Sequence, residues 1–176
     1  MDSPCARGLV LIHTGDGKGK TTAALGLGLR AAGQGLRVLM VQFIKGDTDT
    51  GEHAAVERLA LDFELLTLGA GFVFGEWTEA DVAAAREAWR VASAAIAAGA
   101  HDLVILDEVC FVVSEGVVTL AEVRAALAAR PPHVHVLLTG RDAPDALIAA
   151  ADLVTEMRCV KHPFDAGIPA QRGIEF

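Results

Sequence analysis

An apolar run, Leu9-Val10-Leu11-Ile12, leads directly into Thr14-Gly15-Asp16-Gly17-Lys18-Gly19-Lys20-Thr21-Thr22, and a helical pattern follows from Lys20 to about Ala32. Few folds can use that order. Closely spaced glycines let the backbone turn with its N–H groups facing inward, and the start of the following helix adds the positive end of its dipole. Lys20 adds a full charge, and the Thr21 hydroxyl stands where a magnesium ligand is expected. The order predicts a phosphate loop that holds a triphosphate, that of ATP, between a buried strand and a helix. A bare glycine-rich turn is the rival reading, and Gly-Lys-Thr directly after a buried strand argues against it. One departure stands out. The strict pattern G-x-x-x-x-G-K-[ST] needs glycine at position 14, where this chain has Thr14. The first glycine is Gly15, so the loop is one residue short.

The rest of the chain repeats the alternation. Apolar runs at Val38–Val41, Phe63–Leu66, Leu103–Leu106 and Val134–Leu138 read as strands, with Leu153-Val154 as a short sixth. Continuous apolar runs suit strands covered on both faces, and intervening helices imply parallel strands with right-handed crossovers. From Glu79 to about Ala98, Val82, Ala85, Trp89, Ala92 and Ile96 recur at steps of three and four, the signature of one apolar helix face. Thr78 with Asp81, and Thr119 with Glu122, match capping boxes opening that helix and another over Leu120–Ala129, which Pro131-Pro132 ends. Without a repeat or a linker, residues 1–176 are expected to form a single α/β domain of the P-loop, RecA-like type. Its sheet should be mostly parallel, with helices on both faces.

Asp107-Glu108 closes the fourth apolar run. Acids at the carboxyl tip of a parallel strand face the ligand crevice, where they can hold magnesium directly or through water. Thr21, Asp107 and Glu108 are therefore the expected metal residues. Composition narrows the partners. With 15 Lys+Arg against 23 Asp+Glu the net charge is -8, which disfavours general nucleic-acid binding. An odd set of three cysteines (Cys5, Cys110, Cys159) without metal spacing suits free thiols in a reducing compartment. The N-terminus lacks a leader pattern, and no apolar run is long enough for a membrane span. A cytoplasmic protein without membrane contact is expected.

Several segments in one order resemble the ATP:corrinoid adenosyltransferases of the cobalamin-synthesis type. They are Thr14 to Ala24, Val41-Gln42-Phe43-Ile44-Lys45-Gly46, Leu106-Asp107-Glu108, Leu138-Thr139-Gly140-Arg141 and Val160-Lys161-His162-Pro163-Phe164-Asp165-Ala166-Gly167. The short loop is itself that family's form. The resemblance implies transfer of the 5′-deoxyadenosyl group of ATP to the cobalt of a reduced corrinoid, cobalamin or a precursor, with release of triphosphate. It further implies ATP reversed in the loop, Mg2+ (or Mn2+) as the metal, a reduced flavoprotein as electron donor, and a homodimer. Carried over by position, Thr14, Gly15, Asp16, Gly17, Lys18, Gly19, Lys20, Thr21 and Thr22 would hold the phosphates. Lys20 would stabilise the leaving group, Glu108 would act with the metal, and Arg141 would be a second cation.

The segment Gly69-Ala70-Gly71-Phe72-Val73-Phe74-Gly75-Glu76-Trp77 concentrates aromatic residues in a loop and suggests a ligand face. In the resembled family a Phe and a Trp two residues apart displace the lower axial ligand of cobalt. Phe72 matches the first and Phe74 stands at the second. The six histidines read as structural rather than as cobalt ligands, and His162, in a matching segment, is the best placed of them. Many members of the family carry a helix ahead of the first strand; only seven residues precede Gly8, so that helix is not expected here. Two rivals remain: a small P-loop kinase or NTPase acting at the γ-phosphate, and a non-enzymatic nucleotide or corrinoid carrier.

Overall fold

The computed structural model describes residues 7–46, 50–59, 61–71 and 75–175. Strands β1 (Val10–Thr14), β2 (Val38–Gln42), β3 (Phe63–Thr67), β4 (Leu103–Asp107), β5 (His135–Thr139) and β6 (Leu153–Glu156) form one sheet in the order β3-β2-β4-β5-β1-β6. Every pairing is parallel. The expected sheet was mostly parallel; among the described residues it is entirely so. One strand, β5, separates the phosphate-loop strand β1 from the acid-bearing strand β4, which is the RecA-like arrangement anticipated from the sequence.

The helices are α1 (Lys20–Gly33), α2 (Gly51–Leu59), α3 (Glu79–Ala98), α4 (Val109–Ser114), α5 (Leu120–Ala129) and α6 (Asp145–Ile148). Alternate residues of each central strand serve opposite faces. Leu39, Val41, Val104, Leu106, Val136 and Leu138 pack with Ala85, Trp89 and Ile96 of α3 and with Val123 and Leu127 of α5. Val38, Met40, Leu103, Ile105 and Leu137 pack with Ala24, Ala31 and Ala32 of α1. Two apolar faces per strand explain why the sequence shows continuous runs rather than alternation. Both capping boxes are present, with Thr78 and Thr119 accepting from the Asp81 and Glu122 N–H groups. Gly99 ends α3 in the left-handed region at φ 63°.

The strands differ from expectation at their carboxyl ends. β2 reaches Gln42, β3 Thr67, β4 Asp107 and β5 Thr139, beyond the apolar residues that defined each run. The polar residue closing each strand lies at the ligand-facing edge, and apolar patterning cannot register it. The sixth strand departs from the both-faces rule. All four residues of β6 are exposed, because β6 is an edge strand with no helix over it. No described helix is long and apolar enough to cross a membrane.

Candidate functional site

All the carboxyl ends point to one edge of the sheet, where the loop after β1 meets the residues after β4, β5 and β6. Gly15 and Gly19 take left-handed backbone angles, φ 94° and 114°. A Cβ on Gly15 or Gly17 would come within 2.5 or 2.7 Å of the Met157 carbonyl oxygen. The Gly17 N–H donates to that oxygen (2.7 Å), and the Met157 N–H donates to the Thr14 carbonyl (2.8 Å). The glycines thus let the loop lean on the chain leaving β6. Thr14 sits apart from the rest of the loop. It ends β1, it is buried, and its hydroxyl oxygen accepts from the Ala143 N–H at 3.3 Å. That bond commits Thr14 to anchoring the loop from beneath, while Asp16 through Thr22 line the crevice.

Lys20 donates from Nζ to the Gly15 carbonyl (2.6 Å) and to the Gly17 carbonyl (2.8 Å). Burial lowers its pKa, and the nearby Glu108 charge works in the opposite direction. Thr21 opens α1 and its hydroxyl donates to Asp107 Oδ1 at 2.9 Å. Thr139 donates to the same oxygen at 2.7 Å, and Gln42 Nε2 reaches Oδ2 at 3.4 Å. Asp107 is fully buried, so it stands behind Thr21 rather than in the crevice. Burial pushes its carboxyl above the ordinary range, against the pull of its hydrogen-bond donors. Glu108 follows in the left-handed region at φ 66°, a conformation that costs a non-glycine residue about 1–3 kcal/mol. Its N–H donates to Thr139 Oγ1 at 2.9 Å, which fixes the turn and leaves the side chain lining the crevice. Burial and the adjacent Asp107 charge raise the Glu108 pKa, while Lys20 and Arg141 oppose them.

The crevice, of about 810 Å³, also carries Lys18, Lys45 and Arg141. Beside the acids Asp16, Glu52, Glu108, Asp165 and Glu175 of the same lining, these cations give a polyanion local partners in a protein whose net charge is -8. Among the described residues no three His, Cys, Asp or Glu side chains cluster as a metal cage. Glu108 and the Thr21 hydroxyl, with Asp107 behind Thr21, nevertheless fit magnesium, which takes few protein ligands and completes its shell with phosphate oxygens and water.

Residues 6–176 match the family described as ATP:corrinoid adenosyltransferase BtuR/CobO/CobP. A corrinoid adenosyltransferase of Pseudomonas aeruginosa is 44% identical over 171 residues, 97% of this chain and 84% of that one. One from Escherichia coli is 42% identical and covers 97% and 86%. The chain belongs to the ATP:corrinoid adenosyltransferase family. The crystal structure of the flagellar accessory protein FlaH from Methanocaldococcus jannaschii superposes with a TM-score of 0.54 over 85% of this chain and 71% of its own. At 10% identity that likeness speaks to the fold alone.

Within this adenosyltransferase the expected nucleotide residues converge, but the expected corrinoid residues do not all lie in view. Phe72 and Phe74, like Cys5 and the N-terminal stretch before Arg7, fall outside the described residues. Trp77, grouped with them as a loop aromatic, instead packs on Phe111 of α4 with ring centroids 5.9 Å apart. That contact makes it part of the core margin. His162 lines the crevice, and its Nδ1 accepts from the Phe164 N–H at 3.2 Å. Several contributors were missed as individuals: Lys45 with its partner Glu52 (2.7 Å), Gln42, Thr67, Thr139, and Glu175, which pairs with Lys18 at 2.9 Å. The rule that picked out Asp107, a polar residue at a parallel strand's carboxyl tip, also selects Gln42, Thr67 and Thr139.

Proposed function

We propose that this enzyme grips the triphosphate of ATP as a leaving group while the cobalt(I) of a reduced corrinoid attacks the ribose C5′. The observation that carries this reading is the short loop from Gly15 to Thr22, with Lys20, Thr21 and Glu108 around one crevice. The cobalt electron pair forms the Co–C5′ bond, the C5′–O bond breaks, and its electron pair departs on the triphosphate oxygen. No protein nucleophile is required. The chain's task is to hold C5′ in line and to stabilise the charge gathering on triphosphate. Lys20 and Arg141 supply that charge, and the N–H groups of the loop fix the phosphates. Thr21 and Glu108 would hold Mg2+, or Mn2+ in its place, with Asp107 orienting Thr21 from behind. The metal, when bound, would neutralise the departing triphosphate.

Phe72 and Phe74 are proposed to contact the corrinoid and displace its lower axial ligand, which eases reduction of cobalt(II). A reduced flavoprotein would supply the electron, in the cytoplasm. A homodimer is supported by the exposed edge strand β6 and by Val160, Phe164 and Ile174, at 90%, 78% and 67% exposure. Light scattering should return twice the 18.4 kDa chain mass if those surfaces pair.

The deciding experiment supplies ATP, Mg2+ and chemically reduced corrinoid, then separates the products. Triphosphate together with an adenosylated corrinoid supports the reading. Release of ADP would move the reaction to the γ-phosphate and make the chain a kinase or NTPase.

A further inference from the structure

The last residues of four neighbouring strands form one polar row. Thr67 pairs in register with Gln42, and Gln42 with Asp107, while Thr139 occupies the next position of the β4–β5 register. All four stand on the α1 face, two residues after Leu65, Met40, Ile105 and Leu137. The row continues past the sheet edge into α2. Thr67 Oγ1 lies 3.0 Å from His53 Nε2, and His53 Nδ1 lies 2.9 Å from Thr50 Oγ1.

The proton directions in this row are fixed by counting donors. The Asp107 carboxylate accepts only, so Gln42 must turn its NH2 group toward it. The Gln42 carbonyl oxygen then faces Thr67, whose single hydroxyl proton goes to it at 2.8 Å. Having spent that proton, Thr67 must accept from His53, which requires the Nε2–H tautomer. Beyond His53 the order is not fixed, because the Thr50 hydroxyl near Nδ1 also bonds the Glu52 carboxylate. Every dipole from His53 to Asp107 points the same way, and bonds so aligned reinforce one another.

From this we infer that His53 is a positioning residue for the metal centre, acting through Thr67 and Gln42 to set the Asp107 carboxylate and thereby the Thr21 hydroxyl. The inference rests on the proposed metal role of Thr21 and Glu108. Outer partners of metal ligands orient them, and losing one typically costs 10–100-fold in metal affinity. His53 lies further out, so a loss of about 3–10-fold is expected, the worth of one hydrogen bond.

The test is calorimetric titration with ATP in the presence and absence of Mn2+, without corrinoid, on the full chain. His53→Ala and the near-isosteric Thr67→Val should weaken Mn2+-dependent ATP binding about 3–10-fold and leave metal-free ATP binding unchanged. His53→Gln keeps a donor near the Nε2 position, and Thr67→Ser keeps the hydroxyl; both should bind within about twofold of wild type. Thr67→Val carries the test if His53→Ala fails to fold. Wild-type affinity in Thr67→Val, or equal losses in His53→Ala and His53→Gln, would overturn the positioning role. Glu108→Gln separates the two levels. If wild-type ATP binding shows no Mn2+ dependence and Glu108→Gln changes nothing, the metal reading itself fails and the inference falls with it.

Discussion

Lys20 is where the leaving-group reading can be tested quantitatively. Lys20 is 7% exposed, and its ammonium spans the Gly15 and Gly17 carbonyls at 2.6 and 2.8 Å, so it is held inside the curve of the loop. Breaking the C5′–O bond adds about one unit of negative charge to the triphosphate, and one cation at about 4 Å in an effective dielectric of about 20 is worth roughly 4 kcal/mol. At the transition state that charge has only partly developed, so the differential contribution is about 3–4 kcal/mol. At about 1.4 kcal/mol per decade, Lys20→Ala should lower kcat by about 10²–10³. The assay is anaerobic single turnover with prereduced cobalamin at saturating ATP, following formation of the Co–C bond by absorbance, alongside thermal melting. A kcat within tenfold of wild type would refute the assignment. So would a loss confined to KM, because uniform binding of ATP and transition state cannot lower kcat.

Three further outcomes follow from other contacts. Glu175→Gln removes the carboxylate that pairs with Lys18 at 2.9 Å and should tighten triphosphate binding up to about fivefold at low salt, with the gain fading as ionic strength rises, in isothermal titrations. Thr119→Ala deletes the cap of α5 and should cost about 1 kcal/mol in urea unfolding, with ATP affinity unchanged. Burial pushes the Cys110 thiol up to about 12, whereas Cys159 is exposed at the crevice. Near pH 8, therefore, Cys159→Ser should remove one equivalent of rapid thiol labelling and Cys110→Ser none, and ATP should slow the Cys159 reaction.

Legibility of the fold and site followed the kind of signal each residue carries. The sheet was readable because both faces of β1, β2, β4 and β5 are covered, which forces unbroken apolar runs. The capped helices α3 and α5 were readable because a capping box is a local hydrogen-bond pattern with a fixed spacing. Helix α2 was not. None of its nine residues is fully buried and Val56 packs only partly on the core, so its apolar face is too short to stand out. Lys20, Thr21 and Glu108 were legible from motif spacing, and they do meet at one crevice. The anchoring contact of Thr14 was not legible, because its partner Ala143 lies 129 positions away, beyond any local pattern. The same holds for Lys18 with Glu175 and for His53 with Thr67, which only the completed chain path brings together.

The missing glycine at position 14 can now be tied to physical consequences. Position 14 is the last rung of β1, where Thr14 pairs with Glu156 and its hydroxyl ties down the segment after β5. Glycine there would forfeit that tie and add backbone entropy at a strand end. The loop proper begins at Gly15, already turned by its left-handed angle, and it is braced against Met157. A loop braced in this way is preorganised, and preorganised donors stabilise developing charge without reorganising during the reaction. That property suits a triphosphate that must stay fixed while the carbon attached to it departs. Kinase chemistry at the γ-phosphate would instead need an in-line nucleophile at the far phosphate.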